Sequence, residues 1–393
     1  MKRLRRVAVL CNVSRRFDRR VIQGLSAYVQ QHGRWSLYVE EDPLEKLPRL
    51  DRWDGDGIIA GFEDHRTAAA VQRLAIPVVG FGGGSGWYDE RSGIPYFATD
   101  NAAIGRLAAA HLLDCGFTRL AFYNNPRRRR AQWAEQRERA FTARAAEAGL
   151  PCVVYRGHHA DAQQWMAQLR ELSAWLKTLP KPVGLMACTD IRARQVLEAC
   201  RMIGARVPED VAVIGVDNDE MICRLTTPPL SSIEQGSRQI GYQAAALLDR
   251  LMSGRKAPSL CHVVPPETLI ARQSTDVLAC GDADLSAAIR FVRQHACDPI
   301  CVEDVLRRVP VSRSTLEKRF HAGLGRSIHG EIQHVQVQRA CQLLVHSNLL
   351  IKQVAMRCGF KHVPYLTRVF RRHLGLAPVE YRRRHRIGDD GED

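Results

Sequence analysis

Five apolar runs in this 393-residue chain end on carboxylates, amides or hydroxyls. They end at Asn12, whose loop leads on to Asp18 and Arg19, at Glu40 and Glu41, at Asn124, at Thr189 and Asp190, and at Asp217 and Asn218. Planar carboxylates, amides and guanidinium groups accept or donate two parallel hydrogen bonds, as adjacent ring hydroxyls require. Such a set suits a sugar-like ligand better than an anion. Enzyme chemistry finds less support. Gly80–Gly86 (GFGGGSG) matches neither GxGxxG nor GxxxxGK[ST], no amphipathic helix begins directly after it, and no Ser/His/Asp pattern stands out. Cys297 and Cys301 lack a His/Cys pair at zinc-finger spacing, so the twelve cysteines read as scattered small hydrophobes. No catalytic residue, metal or cofactor is expected.

The polar set must be positioned by the elements it terminates. Arg6–Asn12 reads as a buried parallel strand because its apolar run is continuous rather than alternating. Arg19–Gln31 follows as a helix, with Ile22, Leu25 and Val29 on one side. Trp35–Glu40, Gly57–Ala60 and Pro77–Phe81 read as strands, with a helical pattern over Arg66–Leu74. The rhythm continues through helices at Ala102–Cys115, Gln132–Ala148, Asp161–Leu179 (Asp161 a plausible N-cap), Ile191–Ile203 and Ser237–Met252. Strands at Arg119–Tyr123, Cys152–Tyr155, Gly184–Ala187 and Val211–Val216 alternate with them. Alternation of this kind predicts doubly wound α/β structure, in more strands than one ordinary sheet holds, hence two lobes. Ligands of such sheets bind at the carboxyl ends of the strands, where the polar set lies. The N-terminus, MKRLRRVAVLCN, briefly imitates a signal peptide, but its apolar run is short and Asn and Arg follow quickly. No stretch approaches the roughly 20 apolar residues that span a membrane, so a reduced, cytoplasmic protein is expected.

The C-terminal third has another pattern. Ile351, Val354, Ala355 and Cys358 form the stripe of a short helix that Gly359 stops, and Pro364 suits the first turn of a second. Leu366, Val369, Phe370 and Leu374 are the second helix's stripe; Arg368, Arg371 and Arg372 lie on its other faces. That is a helix-turn-helix pattern, and it occurs twice. Val302, Val305, Leu306 and Val309 repeat the first stripe, and Leu316, Phe320, Leu324 and Gly325 repeat Leu366, Phe370, Leu374 and Gly375 about 50 residues upstream. A linker helix starting near Ser327 and roughly 25 Å long would let the two readers approach the ~34 Å spacing of successive major grooves. Charge agrees: the chain carries +15 formally, and residues 280–386 hold about 19 Lys/Arg against about 8 Asp/Glu. Base-edge candidates are Tyr365, Thr367 and Arg368, with Val363 against a thymine methyl; upstream they are Ser314, Glu317 and Lys318, with Arg313 nearer the backbone. Arg371, Arg372 and the Arg382–Arg384 run are expected on phosphates.

Residues Leu285–Arg386 resemble the DNA-binding domain of AraC/XylS-type regulators through Gly359, Phe360, Phe370, His373, Leu374, Gly375, Pro378, Tyr381 and Arg382. Leu366 stands where many members carry Phe. Asp100–Tyr123, Leu185–Asp190 and Val211–Gln235 resemble the effector domain of LacI-type regulators and periplasmic sugar-binding proteins. LacI-type chains carry their DNA reader first; here it comes last, an inverted combination similar to bacterial regulators of xylose operons. FDRRVIQG (17–24), DGDGIIAGFED (54–64), TDIRARQVL (189–197) and QGSRQIGYQAA (235–245) carry that likeness. The resemblance implies an α/β two-lobed periplasmic-binding-protein-like (type I) domain, followed by an all-α domain with two helix-turn-helix units. The implied boundaries are 4–275 for the effector domain, with lobe 1 about 4–97 and 237–258 and lobe 2 about 100–234 and 262–275. A linker at 276–284, a reader at 285–386 and an acidic tail at 387–393 follow. Crossovers are expected near Tyr96–Asp100, Ser232–Gln235 and Pro258–His262.

Carried over, the family's sugar pocket falls on Asp18, Arg19 and Glu41 from the first lobe. Trp133, Arg137, Asp190, Asp217 and Gln235 complete it from the second or its edge. Trp133 would cover a pyranose face. Each position has a plainer reading: surface for Arg19 and Arg137, a strand end for Glu41, a helix N-cap for Asp190, a turn for Asp217, core for Trp133. Implied partners are operator DNA, D-xylose or a related sugar, a second copy in a homodimer, and RNA polymerase if the protein activates; no membrane partner is expected. Repression and a different sugar remain open on the residues alone.

Overall fold

The computed structural model describes residues 4–32, 35–40, 50–62, 65–82, 88–126, 132–158, 164–276 and 283–385. The chain begins with β1 (Arg5–Leu10), α1 (Arg16–His32), β2 (Trp35–Glu40), β3 (Gly57–Gly61), α2 (His65–Val71), β4 (Val78–Gly82) and β5 (Tyr96–Thr99). It crosses into α3 (Asn101–Asp114), β6 (Leu120–Asn124), α4 (Gln132–Glu147), β7 (Cys152–Arg156), α5 (Trp165–Thr178) and β8 (Val183–Ala187). There follow α6 (Asp190–Ile203), β9 (Val211–Val216), α7 (Glu220–Leu225) and β10 (Ser231–Glu234). It returns through α8 (Ser237–Met252) and β11 (Cys261–Val264), then crosses a last time to β12 (Thr268–Ile270).

Two six-stranded sheets result, ordered β11-β5-β4-β3-β1-β2 and β12-β10-β9-β8-β6-β7. β12 pairs antiparallel with β10, and the other pairings are parallel. Helices cover both faces, which is why β3, β8 and β9 are buried throughout and read as unbroken apolar runs. In each sheet the strand order reverses once, between β1 and β3 and between β6 and β8. A crevice opens at such a switch point. The loops there are the one leading from Asn12 to Asp18 in one lobe, and those after Asn124 and Ala187 in the other.

The third crossover departs from expectation. Cys261–Val264 pairs with Tyr96–Thr99 in the first sheet, so the chain changes lobes at residues 265–267 and not near Pro258–His262. A four-residue edge strand with two exposed side chains gives little apolar signal. The second and third crossovers abut, since a Cβ on Gly236 would lie 2.3 Å from the Pro265 carbonyl oxygen.

Within the first lobe, α1 and α8 touch backbone to backbone. A Cβ at Gly24 would fall 1.8 Å from the Arg238 carbonyl oxygen, and one at Gly241 would fall 1.9 Å from that of Val21. Neither helix can yield without moving Leu25, Ile240 and Ala244 in the shared core. Gly24→Ala should therefore destabilise the effector domain by about 3 kcal/mol, the upper end of overpacking costs. Thermal melts followed by circular dichroism check this; an unchanged midpoint would mean the helices part freely.

The reader comprises α9 (Ala283–His295), α10 (Val302–Leu306), α11 (Arg313–Leu324), α12 (Ile328–His346), α13 (Ile351–Arg357), α14 (Val363–Leu374) and α15 (Pro378–His385). It has two apolar cores. Val302, Val305, Leu316 and Phe320 pack with Ile328 and Ile332 from the start of α12. Val354, Ala355, Leu366 and Phe370 pack with Val337, Ala340 and Leu344 from its end. Both helix-turn-helix units are thus anchored on one 19-residue helix, about 28 Å long at 1.5 Å per residue. Ser327 caps α12 through the Gly330 amide, and Gly325 and Gly375 close α11 and α14 at φ 67° and 73°. Among the described residues, no helix is long and apolar enough to cross a membrane.

Candidate functional site

Both switch points face a cleft of about 440 Å³ between the lobes. Ser14, Arg15, Arg16, Phe17 and Asp18 line it from the first lobe; Trp133, Arg137, Thr189, Asp217, Asp219 and Gln235 face them. Of the sequence-derived set, Asp18, Trp133, Arg137, Asp217 and Gln235 meet here. Glu41 lies outside the described residues.

Arg137 organises the second-lobe wall. It is 2% exposed, and its guanidinium donates to Asn101 Oδ1 (3.0 Å), the Cys188 carbonyl (2.7 Å) and Gln235 Oε1 (3.0 Å). It also lies 4.8 Å from the centre of the Trp133 ring. Gln235 passes the order on, donating from Nε2 to Asp217 Oδ1 at 2.5 Å. Asp217 and Asn218 hold positive φ, 109° and 47°, in side chains that seldom adopt it. The turn is held there by the Asn218 amide on Ser232 Oγ (2.9 Å), by Asn218 Nδ2 on Glu234 (2.7 Å) and by Arg272 on Asn218 Oδ1 (2.7 Å). Backbone strain so firmly held is a mark of functional turns. Burial pushes the Asp217 carboxyl up to about 6, against the opposing pull of the Arg137 charge and the Gln235 hydrogen bond.

Two residues expected in the cleft sit elsewhere. Asp190 is wholly buried behind the wall, where it accepts from Ser232 Oγ (2.5 Å) and the Asp219 amide (2.7 Å). Thr189, not Asp190, is the N-cap of α6. Burial and the neighbouring Asp217 charge raise the Asp190 carboxyl well above the usual range, and its part is to hold the turn that carries Asp217 and Asp219. Arg19 donates to the Val13 and Ser14 carbonyls (both 2.8 Å) and pairs with Asp219 at 3.7 Å, so it stitches the first-lobe loop and touches the opposite lobe at the rim.

Arg16, absent from the sequence-derived set, spans the cleft. Its Nε donates to the Asp217 carbonyl (2.9 Å) and its Nη2 to Glu234 Oε2 (3.2 Å); Arg20 Nε reaches Glu234 Oε1 at 3.0 Å. Glu234 is 3% exposed, so two first-lobe guanidiniums neutralise one buried second-lobe carboxylate. Glu267 also lies by Arg20, at 3.6 Å; burial, then repulsion from Glu234, push it up to about 7. The signal for Arg16 is its place at the start of α1, directly after the loop that leaves β1, but its partners lie some 200 residues on. Gly80 and Gly82 belong to β4, and a Cβ on Gly80 would press within 2.8 Å of the Phe62 ring; the rest of that glycine run lies outside the described residues.

On the reader, the exposed stripe of α14 is Pro364, Arg368, Arg371 and Arg372. Fifty residues upstream, α11 exposes Ser314, Lys318, His321 and Ala322 at the equivalent positions. Arg368 stacks at 5.1 Å from the Tyr365 ring. Several candidates also make contacts within the fold. Tyr365 is half-buried and its hydroxyl accepts from Gln333 on α12 (2.8 Å); Thr367 donates back to the Val363 carbonyl (3.0 Å), and Val363 is half-buried against the downstream core. Glu317 accepts from the Ile328 amide at the start of α12 (3.2 Å), and Arg313 pairs with Glu303 at 3.1 Å, both exposed. Arg382 donates to the Leu344 and Leu349 carbonyls (3.3 and 2.6 Å), fastening α15; the Arg384 side chain lies outside the described residues.

Comparison with known proteins agrees with this division. Residues 6–102 match the XylR N-terminal domain family, 109–275 a periplasmic binding protein-like domain, and 305–384 a helix-turn-helix domain. The chain is 38% identical over 378 residues to the xylose operon regulatory protein of Escherichia coli strain K12, covering 96% of each. It is 35% identical to the protein of that name from Haemophilus influenzae, covering 96% of this chain and 98% of the other. A solved structure described as the xylose-binding transcription activator xylR superposes with a TM-score of 0.64 at 37% identity, over 98% of this chain and 99% of that one.

Proposed function

The chain belongs to the family of xylose operon regulatory proteins, and from that premise we propose that D-xylose bound in the cleft holds the lobes together and so sets the DNA-reading helices on their operator. It is a sugar-responsive, DNA-binding transcription regulator. The observation that carries the mechanism is the convergence of Arg137, Gln235, Asp217 and Asp18 on one cleft, with Arg16 already reaching across it.

Asp217 and Asp18 accept from neighbouring hydroxyls, Arg137 and Gln235 keep the Asp217 oxygens oriented, and the Trp133 ring offers an apolar face for ring C–H groups. A ligand touching both walls stabilises the closed arrangement by its excess affinity for it over the open one, and by no more than that. Coupling of about 1–3 kcal/mol, typical of such switches, corresponds to a 5–150-fold change in operator affinity. In a homodimer the closure would set two readers against paired half-sites, with RNA polymerase recruited alongside. Operator titrations by electrophoretic mobility, with and without D-xylose, should show tighter binding with the sugar; equal affinities would overturn the mechanism.

A further inference from the structure

We propose that α3 and Arg293 form the coupling element that carries cleft occupancy to the DNA reader; this rests on the sugar-responsive reading above. The N-terminal end of α3 belongs to the cleft wall. Asn101 Oδ1 accepts from Arg137 Nε at 3.0 Å, and Asn101 Nδ2 donates to Gln136 Oε1 at 3.1 Å. One turn on, a Cβ at Gly105 would lie 2.4 Å from the Arg137 carbonyl oxygen, so α3 and α4 meet backbone to backbone. Ile104, Ala108 and Leu112 lock α3 into the second-lobe core. The helix therefore moves with Arg137 as one body, about 20 Å from end to end for its 14 residues.

Its other end meets the reader. His111 Nε2 lies 2.9 Å from Thr275 Oγ1, and Cys115 Sγ lies 3.6 Å from the Thr275 carbonyl oxygen. Arg293, on the first helix of the reader, gathers three segments. It donates to Cys115 Sγ just past α3 (3.8 Å), pairs with Asp276 at the end of the short 3-10 turn Gln273–Thr275 (3.6 Å), and pairs with Glu331 on α12 (3.7 Å). Glu331 is 1% exposed and also bonded to Arg326 at 2.6 Å. α12 is the helix on which both helix-turn-helix units are built, so a displacement at Arg293 reaches both at once.

The junction is polar and incompletely filled. A cavity of about 360 Å³ lies there, lined by Asp114 and His111 from the effector side and by Arg293, Glu331, His334 and Gln338 from the reader. A close-packed apolar seam resists repacking. Ion pairs at a void can instead exchange partners between two discrete arrangements, as switching interfaces require.

The test uses the full-length chain and reads the ratio of operator dissociation constants without and with D-xylose. In Arg293→Gln the ratio should fall from the wild-type value, about 5–150 for switches of this kind, to below about 2, while D-xylose affinity of the DNA-free protein by calorimetry changes by less than about threefold. Glu331→Gln, which keeps the side chain's shape and removes its charge, should do the same and serves if Arg293→Gln does not fold. Wild-type ratios in the folded variants would overturn the coupling role and leave the sugar response intact. A ratio of one in the wild-type chain would overturn the sugar-responsive reading and this inference with it.

Discussion

An Asp217→Ala chain loses D-xylose affinity by at least about a hundredfold, about 2.8 kcal/mol at 1.4 kcal/mol per decade, while sugar-free operator binding persists. The size follows from the hydrogen bonds removed. Each bond to a charged group contributes about 1.5–3 kcal/mol, and a carboxylate facing adjacent hydroxyls accepts two. The loss also releases Gln235, whose Nε2 is fixed by Asp217 Oδ1, and through Gln235 the Arg137 guanidinium. Isothermal calorimetry measures it, and near-wild-type affinity would place the sugar elsewhere.

The same carboxyl gives the effect a pH signature. Burial raises Asp217 to about 6, so above that value the carboxylate is formed and sugar affinity is level. Below it, affinity should weaken by about tenfold per pH unit, the cost of leaving the proton in place. Stability runs the other way. With the folded pKa above the usual carboxylate value of 3.8, the folded state holds the proton more tightly than the unfolded chain does. The contribution of this group is therefore fully present below about 3.8 and is lost as pH rises towards 6. At neutral pH the buried charge opposes folding, so Asp217→Asn should melt no lower than wild type at pH 7 while failing to bind sugar. A residue kept for structure alone would show the reverse.

Much of this arrangement is legible in the sequence because the signals are local. Continuous apolar runs mark strands buried on both faces, so Val211–Val216 and Ser237–Met252 have the expected bounds. Gly325, Gly375, Ser327 and Pro364 punctuate the reader helices where expected. What escapes is decided by partners distant in sequence. Glu234 is a charged residue ending a short strand, and only the fold shows that it meets Arg16 and Arg20 across the lobes. Asp190 and Arg19 have the right chemistry for hydroxyls, but Ser232, Asp219 and the Val13 and Ser14 carbonyls engage them. On the reader, Tyr365 borders the buried stripe, and only the position of Gln333 on α12 turns its hydroxyl inward. The same holds for Glu317 and Arg382, whose partners are backbone groups on neighbouring elements.

Those corrections leave Ser314, Lys318 and Arg368 as base-edge candidates, and we propose that Lys318 on α11 and Arg368 on α14 read bases as a matched pair. They are 50 residues apart, in the two copies of one unit, and each stands centrally on the exposed stripe of its helix. Arg368 is pre-oriented by the Tyr365 ring beneath it, and a planar guanidinium so held can present two parallel donors to the O6 and N7 acceptors of guanine. Arg368→Ala should therefore cost about 1–3 kcal/mol and relax preference at one base pair within each half-site. Arg371 and Arg372 lie a turn further on, at the end of the helix, where contact with phosphates positions without specifying. Alanine at either should weaken all duplexes alike and lower the slope of log affinity against log salt by about one. Lys318→Ala should relax preference in the neighbouring groove of the same half-site, though less, since a lysine offers a point charge and not a fork. Anisotropy titrations at several salt concentrations, on the duplex the wild-type protein selects from a random pool and its single-base variants, separate these outcomes. If Arg368→Ala weakened every variant equally, the guanidinium would be on the backbone, and specificity would lie with the turn residues Lys361 and His362, both exposed just ahead of α14.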